Sequence, residues 1–139
     1  MPIDNPEKFV AGIWDWAVLD GCFGAGHIRP TDIDGAVERN GRMLLLETKQ
    51  PGAEIPYGQH VMFLKASQSG YVTTFVVWGP RGSPVQMAQY HKGQVRPARL
   101  CDIQKLRSEC ERWYEWANEQ HSGTISHTPP PRFINETTT

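Results

Sequence analysis

Asp32, Asp34, Glu47 and Lys49 are residues whose types and spacing could do chemistry together. They lie in two segments, TDIDGAVER (31–39) and RMLLLETKQ (42–50), joined by Asn40–Gly41, the dipeptide favoured in a two-residue type I′ hairpin turn. Such a turn fixes the register so that paired residue numbers sum to 81. Asp34 then stands opposite Glu47, Asp32 stands opposite Lys49, and strand alternation sends all four side chains to one face. Directly opposed Cβ atoms lie about 4.5–5.5 Å apart, and like charges there repel. A divalent cation between Asp34 and Glu47 turns that repulsion into attraction. Mg²⁺ fits, because it takes one or two carboxylates and keeps positions for water and a substrate phosphate, and Mn²⁺ is a plausible substitute. The competing reading is a salt-bridged hairpin face turned to water. Val37, Leu44 and Leu46 fall on the other face and give it a core to cover.

The elements around this hairpin follow from periodicity. Residues 6–20 (PEKFVAGIWDWAVLD) read as a helix, with Asn5 as N-cap and Pro6 at the first helical position. Phe9, Ile13, Trp16 and Ala17 are expected to face the core. Residues 57–70 read as a second helix with Val61 and Leu64 on one side. YVTTFVVW (71–78) is β-branched and aromatic and reads as a buried strand. VQMAQYH (85–91) reads as an edge strand. Asp102 is a natural N-cap for a helix to Glu119, with Ile103, Leu106, Cys110, Trp113 and Ala117 as its apolar stripe. The sum is a mixed α/β fold, a central mixed β-sheet flanked by helices. It occupies one domain over 1–123, followed by a Thr/Pro-rich tail over 124–139.

Asp34 and, thirteen positions further on, Glu47–Thr48–Lys49 resemble the PD-(D/E)xK nuclease superfamily, most of all its small phage-type and VRR-type members. In that family an Asp on one strand and an acid-x-Lys on its antiparallel neighbour form the active centre. The resemblance implies a restriction-endonuclease-like αβββαβ core, here with an added C-terminal helix, and covers about residues 6–78. It implies that Asp34, Glu47 and the Thr48 carbonyl hold Mg²⁺, while Lys49 orients or helps deprotonate the attacking water. Gln59 matches the glutamine that the following helix often supplies. Family members often add an acid from the first helix, where Asp20 is the choice over Glu7 and Asp15. Asp32, facing Lys49, would tune that lysine or simply pair with it. The family core usually carries a strand before the Asp strand. Here that strand is short within residues 24–30, missing, or replaced by residues 85–91.

The expected activity is therefore Mg²⁺-dependent hydrolysis of DNA phosphodiesters, with RNA left open. Two alternatives stand beside it: a homodimeric resolvase of branched or Holliday junctions, and a phage inhibitor that binds nucleic acid without cutting it. The formal net charge of −1 over 139 residues argues against a nucleic-acid partner until its distribution is considered. Residues 1–56 hold nine acids against five Lys/Arg, and residues 81–112 hold seven Lys/Arg against three acids. An acidic metal-binding half beside a basic half suits a phosphate polymer. Lys92, Arg96 and Arg99 are the candidate phosphate-contacting strip, with a solvated surface as the alternative reading.

Other chemistries find less support. The five histidines show no HExxH or closely spaced ligand pair, which argues against zinc. Ser83 and Ser122 sit in no nucleophile motif. Three cysteines without a CxxC pair suggest neither disulfides nor a zinc knuckle, and all three are expected to be buried. His60 reads as a solvated helix residue, and the tryptophans of the first and last helices as core. No apolar run approaches the roughly 20 residues of a membrane span. MPIDNPEKF has no signal-peptide pattern, so a cytoplasmic location is expected.

Overall fold

The computed structural model describes residues 12–120 and 129–132. Two compact units divide the chain between Ile33 and Asp34. In the first, the helix expected over 6–20 is replaced within the described residues by one turn of 3₁₀ helix, Trp16–Leu19. Asp15 is the reason. Its backbone is extended and its carboxylate accepts the Ala17 N–H at 2.9 Å, so it caps a new turn and cannot lie inside a continuous helix. Ile13 and Ala17 are exposed and Trp16 is half-buried, so the expected core stripe does not form. Trp14 is exposed as well, and Phe9 lies outside the described residues.

The second unit is a five-stranded mixed sheet with two α-helices. Its strands are β1 (Gly35–Arg39), β2 (Arg42–Lys49), β3 (Val72–Trp78), β4 (Gln86–His91) and β5 (Gln94–Leu100), in that spatial order. The helices are α1 (Tyr57–Gln68) and α2 (Ile103–Glu119). Asn40 and Gly41 both have positive φ, as a type I′ turn requires. The β1–β2 ladder runs from Arg39–Arg42 to Gly35–Leu46 in the expected register. Helix α1 carries the chain from β2 to β3, which pair in parallel. The remaining pairs are antiparallel.

Segment 85–91 is therefore an internal strand. The edge is β5, which carries Pro97 where an unpaired N–H side tolerates it. Lys92 and Gly93, both at positive φ, make the β4–β5 turn. No strand forms in residues 24–30. The hairpin–helix–strand part of the expected order is present; the long first helix and a strand before β1 are not, among the described residues.

Two cores sandwich the sheet. Under α2, Leu44, Phe75, Val77 and Met87 pack with Trp113 and Ala117. Under α1, Phe63 packs with Val76, Trp78, Ala88 and Tyr90. Asp102 caps α2 as expected, accepting the Lys105 N–H at 2.8 Å. His60 is not solvated: its Nδ1 lies 2.7 Å from the Tyr90 hydroxyl. Cys101 is buried and Cys110 half-buried, whereas Cys22 is exposed. No helix among the described residues is long and apolar enough to cross a membrane.

One glycine fixes the loop that follows β3. Gly79 has φ +151°, and its N–H donates to the Lys49 carbonyl at 3.1 Å. A Cβ there would collide with the Ser83 carbonyl oxygen and come within 2.9 Å of the Pro84 Cα. Gly79→Ala is expected to lose roughly 2 kcal/mol in a thermal or urea melt, combining backbone strain with overpacking. Gly82→Ala, also at positive φ but in open space, should lose about half as much.

Candidate active site

Glu47 and Lys49 project from β2 toward α1, on the face opposite Leu44 and Leu46. Sequence alternation left that face as either a site or open water. Helix α1 covers it, so the Glu47 residue is only 7% exposed. Lys49 Nζ lies 3.7 Å from Glu47 Oε1 and donates to Gln59 Oε1 at 2.8 Å. Gln59 sits in the first turn of α1, whose N-cap, Pro56, provides no side-chain cap.

The inner carboxylate oxygen decides how this group can be read. Glu47 Oε2 is buried and has no hydrogen-bond partner. An unsatisfied buried polar atom costs roughly 1–3 kcal/mol, and one on a carboxylate lies at the upper end. Burial pushes the Glu47 carboxyl above its ordinary value, and the charge of Asp34 pushes it further. Lys49 and Gln59 pull it back without cancelling the rise.

Asp34 stands just before β1, one residue beyond the last ladder pair. Its Oδ2 accepts the Thr48 N–H at 2.8 Å and the Thr48 hydroxyl at 3.0 Å. The carboxylate thus takes over a backbone position that β1 has vacated. Because a strand residue's N–H and C=O point to the same neighbour, the Thr48 carbonyl is directed to the Asp34 side too. Glu47, Lys49 and Gln59 are brought together, and Asp34, tied to β2 through Thr48, is near enough for its charge to act on Glu47.

Asp20 and Asp32 belong to the first unit. Asp20 forms a two-point pair with Arg29, at 3.0 and 2.7 Å, which lifts the arginine pKa still higher, first through that hydrogen bond. Asp32 accepts the Trp16 indole N–H at 2.9 Å. Since β1 begins at Gly35, Asp32 precedes the ladder, and the position opposite Lys49 is not a ladder position.

The expected basic strip faces away from these residues. Arg96 Nη1 and Arg99 Nη2 both donate to Gln89 Oε1, at 3.2 and 2.6 Å, under α2. Lys92 Nζ lies over the Trp116 ring. A register shift between Met87 and Gln89 helps set where the β5 arginines fall, and no motif announces it.

A basic residue that sequence reasoning left unassigned, Arg81, borders a cavity together with Lys49. This cavity of about 730 Å³ opens at the carboxyl ends of β2 and β3, bordered by Thr48, Lys49 and the 79–84 loop with Arg81, and by Leu46, Val77, Ile103 and Leu106 on the α2 side of the sheet. Ends of parallel strands are where α/β sheets commonly bind ligands. That rule, applied to the Gly79–Pro80–Arg81–Gly82 turn, could have singled out Arg81.

The residues fit a divalent cation of the Mg²⁺ or Mn²⁺ type. A two-carboxylate set with a backbone carbonyl offers hard oxygen donors, and the orphaned Glu47 oxygen lacks the partner a cation would supply. No group of three or more His, Cys, Asp and Glu side chains that could hold a metal occurs among the described residues. Asp34→Asn separates anchoring from charge, because the amide oxygen can still accept from Thr48. That variant is expected to melt within about 2 °C of the parent while its Mn²⁺ affinity, read by titration calorimetry, falls about tenfold or more.

The fold so defined is a mixed α/β sheet with a carboxylate–lysine group at one end of its parallel strand pair. No family model, curated protein or solved structure matches the chain.

Proposed function

We propose that this protein is a Mg²⁺-dependent nuclease of the PD-(D/E)xK type that hydrolyses DNA phosphodiesters. The observation that carries the reading is the buried, partnerless Glu47 oxygen beside Asp34, on a carboxylate whose other oxygen lies near Lys49. As a purely structural cluster this arrangement is a poor one. It places two like charges together and leaves a carboxylate oxygen dry. Counting Asp34, Glu47 and Lys49, the group carries one net negative charge, and a divalent ion would convert it to one net positive charge facing a phosphate.

Asp34, Glu47 and the Thr48 carbonyl hold the ion in this reading. Bound Mg²⁺ supplies positive charge at the scissile phosphate and lowers the pKa of coordinated water. Lys49 orients the attacking water and stabilises the charge that builds on the phosphate oxygens. Gln59 holds the Lys49 ammonium in place and so acts as a positioning residue. The uncapped first turn of α1 adds partial positive charge from its N–H groups. Arg81 takes the place of Lys92, Arg96 and Arg99 as the cation that meets the substrate backbone.

Incubation with supercoiled, linear and branched DNA, and with RNA, tests this. Nicking or cutting of DNA in Mg²⁺ or Mn²⁺, abolished by EDTA, is the expected result. Absence of cleavage of every substrate in both metals would overturn the enzymatic reading. Cleavage confined to branched DNA, with a dimer in solution, would move it to a junction resolvase.

A further inference from the structure

The opposite face of the sheet holds a cavity of about 310 Å³ under α2. Phe75 and Gln89 form its floor, Trp113 and Trp116 its walls, and Arg96 and Arg112 bring charge to it. The polar groups here are arranged around one carboxylate, Glu109, whose side chain is 5% exposed. Gln89 Nε2 donates to Glu109 Oε2 at 2.9 Å. Lys105, Arg112 and Arg99 stand 3.3, 3.4 and 4.0 Å from Glu109 Oε1. Arg96 joins through Gln89, so four cations gather around a single acid.

A staple holding α2 to the sheet would need one or two of those cations. The remainder leave surplus positive charge beside an aromatic-walled space. Two buried donors also lack acceptors, Arg99 Nη1 and the Trp113 indole Nε1. Trp113 is 5% exposed and lines the cavity, and its N–H is itself buried. A buried donor left without an acceptor is costly, and an occupant carrying acceptor oxygens would relieve it. Burial opposes charge on Glu109, yet the bonds from Gln89 and Lys105 and the nearby arginine outweigh it and hold its pKa low. The carboxylate therefore stays ionised and keeps the arginines in place.

We infer that this cavity is a binding site for a nucleoside monophosphate, separate from the carboxylate–lysine group. Three demands select that chemistry. The arginines call for a phosphate that can be bonded at two points. The aromatic rings of Trp116 in the wall and Phe75 in the floor call for a planar ring. The Trp113 N–H calls for an acceptor on that ring or on its sugar. The volume lies at the small end of ligand pockets and suits one nucleotide rather than a polymer.

The test is calorimetric titration of the full chain with AMP, CMP, GMP, UMP and inorganic phosphate, all in EDTA, with the Trp113 indole N–H followed by NMR. At least one nucleotide is expected to bind with a sub-millimolar Kd, about tenfold or more tighter than inorganic phosphate, and to shift the Trp113 signal. Arg96→Ala and Arg112→Ala should each weaken it about tenfold or more. Both side chains reach the surface, so the fold should tolerate their loss. Glu47→Gln should bind the nucleotide as the parent does, which distinguishes failure of this site from failure of the nuclease reading. Three results would overturn the inference: no binding by any nucleotide at millimolar concentration, equal affinity for inorganic phosphate, or unchanged affinity in both arginine variants.

Discussion

Glu47→Gln is expected to abolish cleavage and divalent-ion binding while making the ion-free protein more stable. The two effects have one origin. A carboxylate buried to 7% exposure, with one oxygen unbonded and Asp34 nearby, is strained when ionised. A neutral amide of the same shape relieves the charge and keeps an acceptor for Lys49. The gain should be about 1 kcal/mol, or about 4 °C in Tm for a chain of this size. Its pH dependence has a definite sign. A carboxyl whose folded pKa is raised binds its proton more tightly in the folded state. The parent therefore loses stability relative to Glu47→Gln as pH rises from the ordinary 4.5 through the raised folded value, and the gap is constant above that. Melts of both proteins in EDTA at a series of pH values measure this directly. Below the ordinary value the two should melt alike.

Lys49→Met gives the second large effect, and it divides activity from ion binding. The substitution keeps an unbranched chain in the space between Glu47 and Gln59 but removes the ammonium. Cleavage should fall about 10²–10³-fold, the range typical for losing one group that stabilises transition-state charge. Mn²⁺ affinity should hold or rise, since a cation 3.7 Å from Glu47 competes with any ion for the same carboxylate. Gln59→Ala should lower kcat by a smaller factor, because the lysine remains but loses the acceptor that orients it. Parallel loss of Mn²⁺ binding in Lys49→Met would show that the lysine supports the fold of the site rather than the reaction.

The hairpin was legible because its signal is local. Asn40–Gly41 accepts two positive φ values cheaply, and once that turn is set every β1–β2 pair follows. Helix α2 was legible for a similar reason, since Asp102 and an apolar stripe mark it within its own span. What alternation along β2 could not reveal was the burial of Glu47. That depends on β2 pairing in parallel with β3, which brings α1 over the polar face through a non-local contact. Strand β5 escaped notice because Lys92 carries the positive φ that Asn or Gly usually signals, and because QVRPARL lacks an apolar alternation. The direction of Arg96 and Arg99 then turns on an irregular register against β4. The first helix was misread for the opposite reason: an apolar period was visible, but Asp15 used its carboxylate to cap a separate 3₁₀ turn.

A single Mn²⁺ ion shared by Asp34 and Glu47 is the premise beneath the nuclease reading, and anomalous diffraction from crystals soaked in Mn²⁺ would locate it. One peak bonded to a carboxylate oxygen of each residue is the expected result, and it should vanish in Glu47→Gln crystals. A peak that bridges other residues, or none at millimolar Mn²⁺, would contradict the account.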